Sequence, residues 1–395
     1  MNTNELKKIF LDIYGGGEEG IRAFSSPGRV NLIGEHTDYN GGYVFPAALT
    51  LSSTVIARPR KDGLINLAVT DLNDRVSAPL DRLSDFKKIR WGNYQLGVAD
   101  ELQKAGYKLT GCDMLFHDTV PIGSGLSSSA AIEVVTAIAL ITLGNEAFGI
   151  SREIDMVEVA KISQMAEHNF IGVNCGIMDQ FASAMGRKDH AILLDCRDLS
   201  YKYIPLELKG FKIVISNTKK KRSLAAVKYN ERRSECEEGL EILKKSLPGI
   251  TCLGDVSAEQ FEQYKHTIED DVIRKRVEHV IYEDDRVLRS AEALMRNEFE
   301  KFGKYMIESH NSLRDLYEVT GMELDTLVEE ALKIDGVIGS RMTGAGFGGC
   351  TVSIVREDAV DNFIEQVGKA YQEKTGIKAE FYISEIGDGG KEIQM

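Results

Sequence analysis

Proline is scarce in this chain, with 7 among 395 residues, and the chain has no Pro-rich or Ser-rich linker. Any boundary between domains must therefore lie in a short turn. A chain of this length is too long for one ordinary hydrophobic core and predicts two domains of roughly 150–200 residues each. We expect the break near residue 200, which divides the chain into residues 1–200 and 201–395.

Basic residues are also in deficit, because 48 Lys and Arg stand against 61 Asp and Glu, for a net charge of −13. Nonspecific nucleic-acid binding rests on cationic contacts with phosphates, so this composition argues against a nucleic-acid partner. A phosphorylated small molecule remains compatible with it, because a local group of backbone N–H donors binds anions whatever the net charge.

The six cysteines are spread so widely that no two lie within four residues of each other. C-x-x-C redox spacing and zinc-finger spacing are therefore absent, and buried thiols in a reducing cytosol are the simplest interpretation. The N-terminus lacks the apolar segment of a signal peptide. The longest apolar run, residues 130–143, is short for a membrane span and carries Glu133, so it predicts a buried helix. We expect a cytoplasmic protein with no membrane partner.

Short strand-like runs are mixed with amphipathic helices along the chain. The strand-like runs are 43–50, 53–59, 64–69, 191–196, 211–217, 350–355 and 379–384, and the helical ones are 127–146, 151–168, 223–246, 285–308, 322–334 and 357–375. Ser151, Ser223 and Ser257 are suitable helix N-caps. The mixture predicts α+β layers rather than a repeating βα pattern.

Residues 29–42 read RVNLIGEHTDYNGG, a short stretch in which several charged and polar side chains lie close together. Arg29, Glu35, His36 and Asp38 all need partners if they are buried. A small polyhydroxylated ligand would supply them, because carboxylates and imidazole accept hydroxyl protons and Arg holds developing negative charge. The alternative is a solvated turn, of which N-G-G is typical.

Residues 121–131, PIGSGLSSSAA, lead directly into the apolar helix. Gly123 and Gly125 let the backbone approach a ligand closely, and three serines follow where the first N–H groups of a helix lack partners. Such a site suits phosphate oxygens. The G-K-[ST] ending of a Walker A loop is missing, and Ser128 stands at the third glycine position of G-x-G-x-x-G. The alternative is an ordinary Ser-capped helix after a glycine turn.

A second glycine-rich segment, GAGFGG at 344–349, does satisfy G-x-G-x-x-G. A dinucleotide fingerprint must follow a strand and open a helix. Here the glycines follow the predicted helix 322–334 and a turn, and they precede a strand. We expect a loop that closes over a bound ligand or packs against the other loops.

Two carboxylates lie between these segments. Glu167 is near the C-terminus of the predicted helix 151–168, where the helix dipole does not favour it, so a divalent cation would stabilise it. A surface carboxylate is the alternative. Asp179 stands among the apolar residues Ile177, Met178 and Phe181, where a carboxylate needs a polar partner or a functional role. The alternative is that it is the N-cap of a helix at 180–186.

Taken together, these segments resemble a known family. PIGSGLSSSAA resembles the central nucleotide loop of the GHMP kinases, and GRVNLIGEHTDYNGG is similar to the galactokinase signature within that family. NCGIMDQF and the segments 217–238 and 339–352 follow in the right order, so the resemblance spans about residues 22–385. It implies a two-domain α+β fold. The N-terminal domain would hold a mixed sheet with helices, the C-terminal domain an antiparallel sheet with helices, and the cleft between them the active site.

The resemblance also implies that ATP phosphorylates a sugar, galactose, at its C1 hydroxyl, with Asp179 as general base and Arg29 stabilising charge. The implied sugar-binding residues are Glu35, His36, Thr37, Asp38, Gly176 and Tyr229. The implied ATP phosphate loop is Gly123, Ser124, Gly125, Leu126, Ser127, Ser128 and Ser129, with Mg²⁺ on Ser129 and Glu167 and with Gly344, Ala345 and Gly346 lining the cleft. Trp91 is a candidate for the adenine pocket, although burial in the core explains it equally well.

Several points stay open at this stage. The sugar is galactose, N-acetylgalactosamine or arabinose, and a non-catalytic regulator that binds sugar and ATP is the remaining alternative. Ala345 stands where galactokinases often have Gly, which makes that loop bulkier. The basic run at 219–222 is either a solvated surface or a positive rim that attracts ATP. We expect a monomer.

Overall fold

The structure, a computed structural model, describes residues 1–89, 91–121, 123–221 and 225–395. The helices are α1 (Thr3–Tyr14), α2 (Asn93–Lys104), α3 (Ser128–Phe148), α4 (Met156–Ala166), α5 (Met178–Met185), α6 (Ala225–Lys244), α7 (Ala258–Tyr264), α8 (Asp271–Met295), α9 (Phe299–Ser312), α10 (Met322–Ala331) and α11 (Val360–Thr375). The strands are β1 (Arg22–Asn31), β2 (Tyr43–Val44), β3 (Pro46–Arg60), β4 (Leu64–Val69), β5 (Leu72–Pro79), β6 (Gly111–Asp118), β7 (His190–Asp195), β8 (Tyr201–Pro205), β9 (Phe211–Asn217), β10 (Val337–Thr343), β11 (Cys350–Arg356), β12 (Glu380–Ser384) and β13 (Lys391–Ile393).

Five strands of the first half and β13, from the end of the chain, form a mixed six-stranded sheet in the order β13-β1-β3-β6-β4-β5, in which β4 and β6 run parallel. The predicted strands 43–50 and 53–59 are wrong as separate elements, because β3 runs unbroken from Pro46 to Arg60. The polar residues in its middle are of types common in turns, which is why the sequence predicted a break there. Ser53 nevertheless pairs with Ser26 on β1 and with Asp118 on β6, so the backbone is hydrogen-bonded on both sides.

The second half holds an antiparallel four-stranded sheet in the order β10-β11-β9-β12. Thr343 pairs with Cys350, so residues 344–349 connect β10 to β11 as a hairpin loop. The expectation that these glycines follow a helix and a turn is therefore wrong, since β10 lies between. This strand was missed because Gly339, Ser340 and Arg341 interrupt its apolar pattern.

The two halves share a hydrophobic core. One buried cluster combines Val30 and Leu126 from the first half with Val287, Met306 and Ile354 from the second. A three-stranded sheet, β2-β7-β8, lies beside it. The α+β expectation, with a mixed sheet in one half and an antiparallel sheet in the other, is confirmed. The division at residue 200 stays a prediction.

Helix boundaries depart from the pattern at two places. Asp155 caps α4 by accepting hydrogen bonds from the backbone N–H groups of Val157 and Glu158, so a helix start at Ser151 is wrong. The predicted helix 285–308 is two helices, α8 and α9, interrupted at 296–298. Ser257 does cap α7, whereas Ser223 lies outside the described residues.

Single turns of π-helix extend α4 and α9, at Glu167–Ile171 and at Leu313–Tyr317. Such turns are uncommon and are often found at functional sites. Here they contain Glu167 and Tyr317.

The apolar helix α3 is longer than the run that predicted it. By length and composition alone it is able to cross a membrane, but 67% of its apolar window is buried inside the protein. It packs against α2, α4 and α5 and against β1 and β3. The expectation of a buried helix therefore holds.

Candidate active site

A cavity of about 300 Å³ opens between the signature segment (residues 29–42), the turn before α5, the first turns of α6 and the hairpin loop at 344–349. Its lining residues are Arg29, Glu35, His36, Asp38, Tyr39, Gly172, Val173, Cys175, Gly176, Met178, Asp179, Tyr229, Asn230, Gly344 and Ala345. Seven of the predicted catalytic and sugar-binding residues meet there, although they are separated by up to 200 positions in the sequence (Arg29 to Tyr229).

Arg29 reaches the cavity through a bulge in β1. The pairing with β3 shifts between Pro27 and Arg29, and a Cβ at Gly28 would lie 2.6 Å from the carbonyl oxygen of Leu126. The backbone N–H of Arg29 donates to that carbonyl over 3.1 Å. The bulge thus joins the signature segment to the Gly-Ser loop (residues 123–129), and bulges of this kind recur beside active sites.

Asp179 lies in the first turn of α5, which begins after Ile177, so the N-cap alternative is wrong. Its Oδ1 accepts hydrogen bonds from Arg29, whose Nε and Nη2 are 2.9 and 2.7 Å away. Its Oδ2 accepts one from Ser127 Oγ over 2.5 Å. Each carboxylate oxygen has two acceptor positions, so Oδ2 retains one for a ligand. The Asp179 side chain is 32% exposed, whereas that of Arg29 is 4% exposed.

Glu35 is almost completely surrounded by protein donors. Its Oε2 forms an ion pair with Arg341 at 2.6 Å and accepts from Asn31 Nδ2 at 2.8 Å. Its Oε1 accepts from the backbone N–H of Gly344 at 2.8 Å. Burial raises the pKa of Glu35, and the positive charge of Arg341 opposes that effect. Glu35 therefore joins the signature segment to β10 and to the hairpin loop as well as lining the cavity.

His36 has a left-handed backbone (φ 65°), which is uncommon for a residue with a side chain. Its Nδ1 is 2.9 Å from the hydroxyl of Tyr39. Its Nε2 makes no hydrogen bond of acceptable geometry in the described part of the chain, although the Ala345 backbone lies near it. Burial, reinforced by the charges of His279 and Arg232, lowers the pKa of His36 to about 3, so the ring is neutral.

Asp38 and Gly176 are in direct contact. A Cβ at Gly176 would fall 1.7 Å from Oδ2 of Asp38, so only glycine fits there. Burial and, next, the negative charge of Asp179 raise the pKa of Asp38 to about 6. Tyr229 also lines the cavity, and burial followed by the charge of Asp38 raises the pKa of its phenol well above the usual range.

Thr37, predicted as a sugar-binding residue, does not line the cavity. It is fully buried, and its hydroxyl lies 2.9 Å from the carbonyl oxygen of Gly34 and 2.6 Å from that of Tyr43. The next residues form a short 3₁₀ turn, Asp38–Asn40, closed by Gly41 in the left-handed region. The turn interpretation is therefore confirmed for this end of the segment, but the turn is not solvated, because Asn40 and Gly42 are buried.

The Gly-Ser loop uses its serines in different ways. Ser124 Oγ donates to the carbonyl of Pro121 over 2.6 Å, and Ser127 is held by Asp179. Leu126 is buried in the shared core. Ser128 and Ser129 stand in the first turn of α3, where backbone N–H groups lack intrahelical partners. Gly123 and Gly125 both have positive φ, and no atom of the described residues outside its immediate neighbours lies within 4 Å of a Cβ at Gly123.

Glu167 lies behind this helix end, not on the surface as the alternative held. Ser129 donates to its carboxylate, and Gln180 Nε2 is 3.3 Å from Oε1. The buried carboxyl of Glu133, one turn after Ser129, is also beside it. Burial, and then the charge of Asp179, raises the pKa of Glu167; burial, and then Glu167, raises that of Glu133. Glu133 Oε1 has no hydrogen-bond partner among the described residues. Two buried carboxyl groups with such an oxygen form a donor set that suits a divalent cation.

The sequence did not single out several residues of the site. Tyr39 stands inside the signature segment and its type gave no reason to choose it. Tyr317 and Arg341 come from the second half, and no local pattern marked them. Cys175 lines the cavity, where burial, and then the charge of Glu167, raises the pKa of its thiol.

Two further expectations concern the surroundings. Trp91 is half-buried and packs against the core of the first half, and its role as an adenine-binding residue stays a prediction. In the basic run, Lys219 and Lys220 form ion pairs with Glu380 and Glu323 at 3.1 and 2.7 Å. Arg222 lies outside the described residues.

Family models match three parts of this chain. Family models described as the GHMP kinases N terminal domain and the GHMP kinases C terminal match residues 93–187 and 290–373. They define the class of small-molecule kinases. A third model, the galactokinase galactose-binding signature, matches residues 8–59.

Relatives are similar to this chain along its whole length. A galactokinase of Clostridium tetani is 50% identical over 393 residues, which cover 100% of this chain and 98% of the relative. A galactokinase of Bacillus subtilis is 47% identical over 393 residues, which cover 99% of both. The chain therefore belongs to the galactokinase family.

Solved structures agree with this assignment. A crystal structure of Lactococcus lactis galactokinase complexed with galactose superposes with a TM-score of 0.94 at 41% identity, covering 99% of both chains. A Methanococcus jannaschii mevalonate kinase superposes with a TM-score of 0.65 at 20% identity, covering 94% of this chain and 100% of the other, and shares the fold.

Proposed function

We propose that this protein is an ATP-dependent galactokinase, which transfers the γ-phosphoryl group of ATP to the C1 hydroxyl of galactose and gives galactose 1-phosphate and ADP. The observation that carries the proposal is the Asp179 carboxylate. It is fixed by Arg29 and Ser127, lies at the edge of the cavity and retains one acceptor position on Oδ2. Two relatives that are about 50% identical over nearly the whole chain are named galactokinase.

In this proposal the cavity orients the sugar before any bond changes. The cavity residues whose polar groups would bind sugar hydroxyls are His36, Asp38, Gly176 and Tyr229, with Glu35 beside them. Fixing the C1 hydroxyl against Asp179 converts a bimolecular encounter into a positioned one, which is a large contribution in phosphoryl transfer.

Asp179 Oδ2 would accept the proton of the C1 hydroxyl as the oxygen attacks the phosphorus. Arg29 is buried and donates to both Asp179 and the Gly125 carbonyl, so its guanidinium is fixed between the base and the Gly-Ser loop. There it would stabilise negative charge on the attacking oxygen and on the transferring group.

ATP would place its phosphates on the backbone N–H groups of the Gly-Ser loop and the first turn of α3, with Ser128 adding a hydroxyl donor. Mg²⁺ would be held by Ser129 and Glu167 and would neutralise phosphate charge when bound. In the described part of the chain no group of three His, Cys, Asp or Glu side chains is arranged for a metal. That agrees with an ion held largely by phosphates and water.

The decisive experiment measures ADP release by the purified protein with a panel of sugars, galactose, N-acetylgalactosamine and arabinose, at saturating MgATP. The proposal expects the highest kcat/KM with galactose. A higher value with another sugar would reassign the substrate within the same mechanism. Binding of sugar and ATP without turnover of any sugar would favour the regulator.

The remaining expectations are also proposals. We infer a cytoplasmic enzyme, which six free thiols support. We infer a monomer with sugar and ATP as its partners, which sedimentation velocity at micromolar concentration would test.

A further inference from the structure

Gln180 lies in the first turn of α5, directly after Asp179, and its side chain is completely buried. Its Nε2 is 3.1 Å from Glu133 Oε2 and 3.3 Å from Glu167 Oε1. An amide nitrogen carries two N–H donors, so it supplies one to each carboxyl group. The same helical turn therefore presents the Asp179 carboxylate to the cavity and an amide to the buried carboxyl pair behind it.

The two carboxyl groups that share this amide come from separate elements. Glu133 lies on α3, one turn after Ser129, whereas Glu167 begins the π turn after α4. The helices α3, α4 and α5 pack against one another, which brings Glu133 and Gln180 together although they are 47 positions apart in the sequence. The Gln180 amide therefore joins the helix that carries Asp179 to the helix end that carries the Gly-Ser loop.

The type of side chain at position 180 suits a neighbour that binds a cation. A buried carboxylate needs hydrogen-bond donors or a counter-charge. Ser129 also donates to Glu167, and its hydroxyl oxygen keeps two acceptor positions. An amide differs from a lysine or an arginine in this place, because it supplies N–H donors without a positive charge. The charge that Glu167 offers to a cation is therefore not neutralised by the residue that holds it.

We propose that Gln180 is a positioning residue that holds the Glu167 carboxylate where it binds, together with Ser129, the Mg²⁺ that accompanies the nucleotide. Hydrogen-bond partners of this kind orient a metal ligand, and their loss costs about 10–100-fold in metal affinity. The inference rests on the proposed function for the presence of Mg²⁺. Gln180 does not line the sugar cavity, so its amide acts on the metal ligand and not on the sugar.

Gln180→Met tests the amide, because methionine keeps the approximate length of the side chain and removes both N–H donors. Titration calorimetry of ADP binding at a series of Mg²⁺ concentrations measures the effect without turnover. We expect the Mg²⁺ concentration for half-maximal ADP binding to rise by roughly tenfold, with ADP binding in EDTA within about twofold of the wild type. An unchanged Mg²⁺ requirement in folded Gln180→Met would overturn the proposal.

A double variant separates positioning from a merely structural role. Gln180→Met combined with Glu167→Gln should need about as much Mg²⁺ as Glu167→Gln alone, since the amide acts through Glu167. Losses that simply add would contradict the proposal, and so would a loss of stability in urea with an unchanged Mg²⁺ requirement. Gln260→Met is the matched control, because that side chain accepts its hydrogen bond from the Ser257 N–H in the exposed cap of α7.

Gln180→Asn keeps an amide but withdraws it by one carbon, so we expect the same rise in the Mg²⁺ requirement, and this variant decides if Gln180→Met does not fold. Failure of the proposed function is distinguishable. Wild-type protein that binds ADP in a Mg²⁺-dependent way and phosphorylates no sugar would refute the galactokinase proposal and leave this inference intact. Wild-type ADP binding that is indifferent to Mg²⁺ would overturn the inference, whatever the turnover.

Discussion

Gly176 and Asp38 lie so close together that a Cβ on Gly176 would fall 1.7 Å from the Asp38 carboxylate oxygen Oδ2. They are 138 positions apart in the sequence (38 to 176), and each lines the cavity. The missing side chain at 176 therefore sets where the carboxyl of Asp38 lies, and with it one polar wall of the sugar site.

Gly176→Ala should displace the Asp38 carboxyl and weaken sugar binding. We expect the KM for galactose to rise by at least about tenfold, the equivalent of about 1.4 kcal/mol, because the carboxyl loses its place against the sugar. Steady-state kinetics with varied galactose measure this. Gly17→Ala is the matched control, since nothing lies within 4 Å of a Cβ there. A wild-type KM in Gly176→Ala would refute the steric argument.

Asp179→Asn should abolish most turnover while leaving the fold intact. General-base catalysis contributes on the order of 10²–10⁴-fold, and the amide cannot accept the proton, so kcat should fall by at least about 100-fold. Ser127→Ala removes one hydrogen bond to Oδ2 and should lower kcat by less than Asp179→Asn does. Circular dichroism and thermal melting verify folding. Retention of full turnover by Asp179→Asn would remove this residue from the proton transfer.

Arg341→Met should destabilise the protein strongly, because it leaves the Glu35 carboxylate buried without its cation. Breaking one partner of a buried ion pair costs about 3–5 kcal/mol, and Glu35→Gln in the same chain should restore part of the loss. Urea unfolding of the wild type, both single variants and the double variant gives the coupling energy. Arg356→Met, on an exposed pair with Asp358, should leave stability near that of the wild type. Additive single effects would contradict the coupling.

His279→Gln should make the protein less sensitive to acid. Burial lowers the pKa of His279 to about 4 in the folded protein, against 6.5 in the unfolded chain. Between these values the unfolded chain binds a proton that the native state does not, so wild-type stability is lost as pH falls through this window. The variant lacks this contribution. We expect its free energy of unfolding to fall less between pH 7 and about pH 4.5.

In that experiment the acid dependence of the free energy of unfolding must be compared between wild type and His279→Gln. The pKa of Asp38 is raised to about 6, so its contribution runs in the opposite direction over part of the same range, and it is common to both proteins. An equal acid dependence of wild type and His279→Gln would show that His279 is not neutral in the native state.

Glu167→Gln should weaken binding of the divalent cation. The amide keeps the size of the side chain but removes a charged ligand beside Ser129, so we expect the Mg²⁺ concentration for half-maximal ADP binding to rise by on the order of tenfold or more. Titration calorimetry measures this without catalysis. Glu153→Gln, a change of an exposed carboxylate, is the control. Unchanged Mg²⁺ dependence in Glu167→Gln would exclude it as a ligand.

The sequence anticipated those parts of the site whose residues are contiguous. The signature segment holds Arg29, Glu35, His36 and Asp38, which do meet at one cavity. The Gly-Ser loop stands at the start of a buried helix, as its composition predicted. Thr37 does not line the cavity, because residue type does not report which way a side chain points, and its hydroxyl binds backbone carbonyls instead. Its contact with the sugar stays a prediction.

Partners distant in the chain were not predictable in the same way. Tyr317 lies 278 positions from Tyr39 and contacts it from the π turn that follows α9. Arg341 belongs to a strand that its own polar residues concealed, and its role depends on a carboxylate more than 300 positions away.

The sequence by itself determined the family, the α+β class and the chemistry of the site, because short motifs carry residue types that only a few reactions require. Tertiary structure alone decided which donors surround Glu35, which oxygen of Asp179 keeps an acceptor position for a ligand and how His36 is held. Those properties depend on distances of about 3 Å between residues far apart in the chain. Packing of the two halves around one shared core fixes such distances, and no local pattern encodes them.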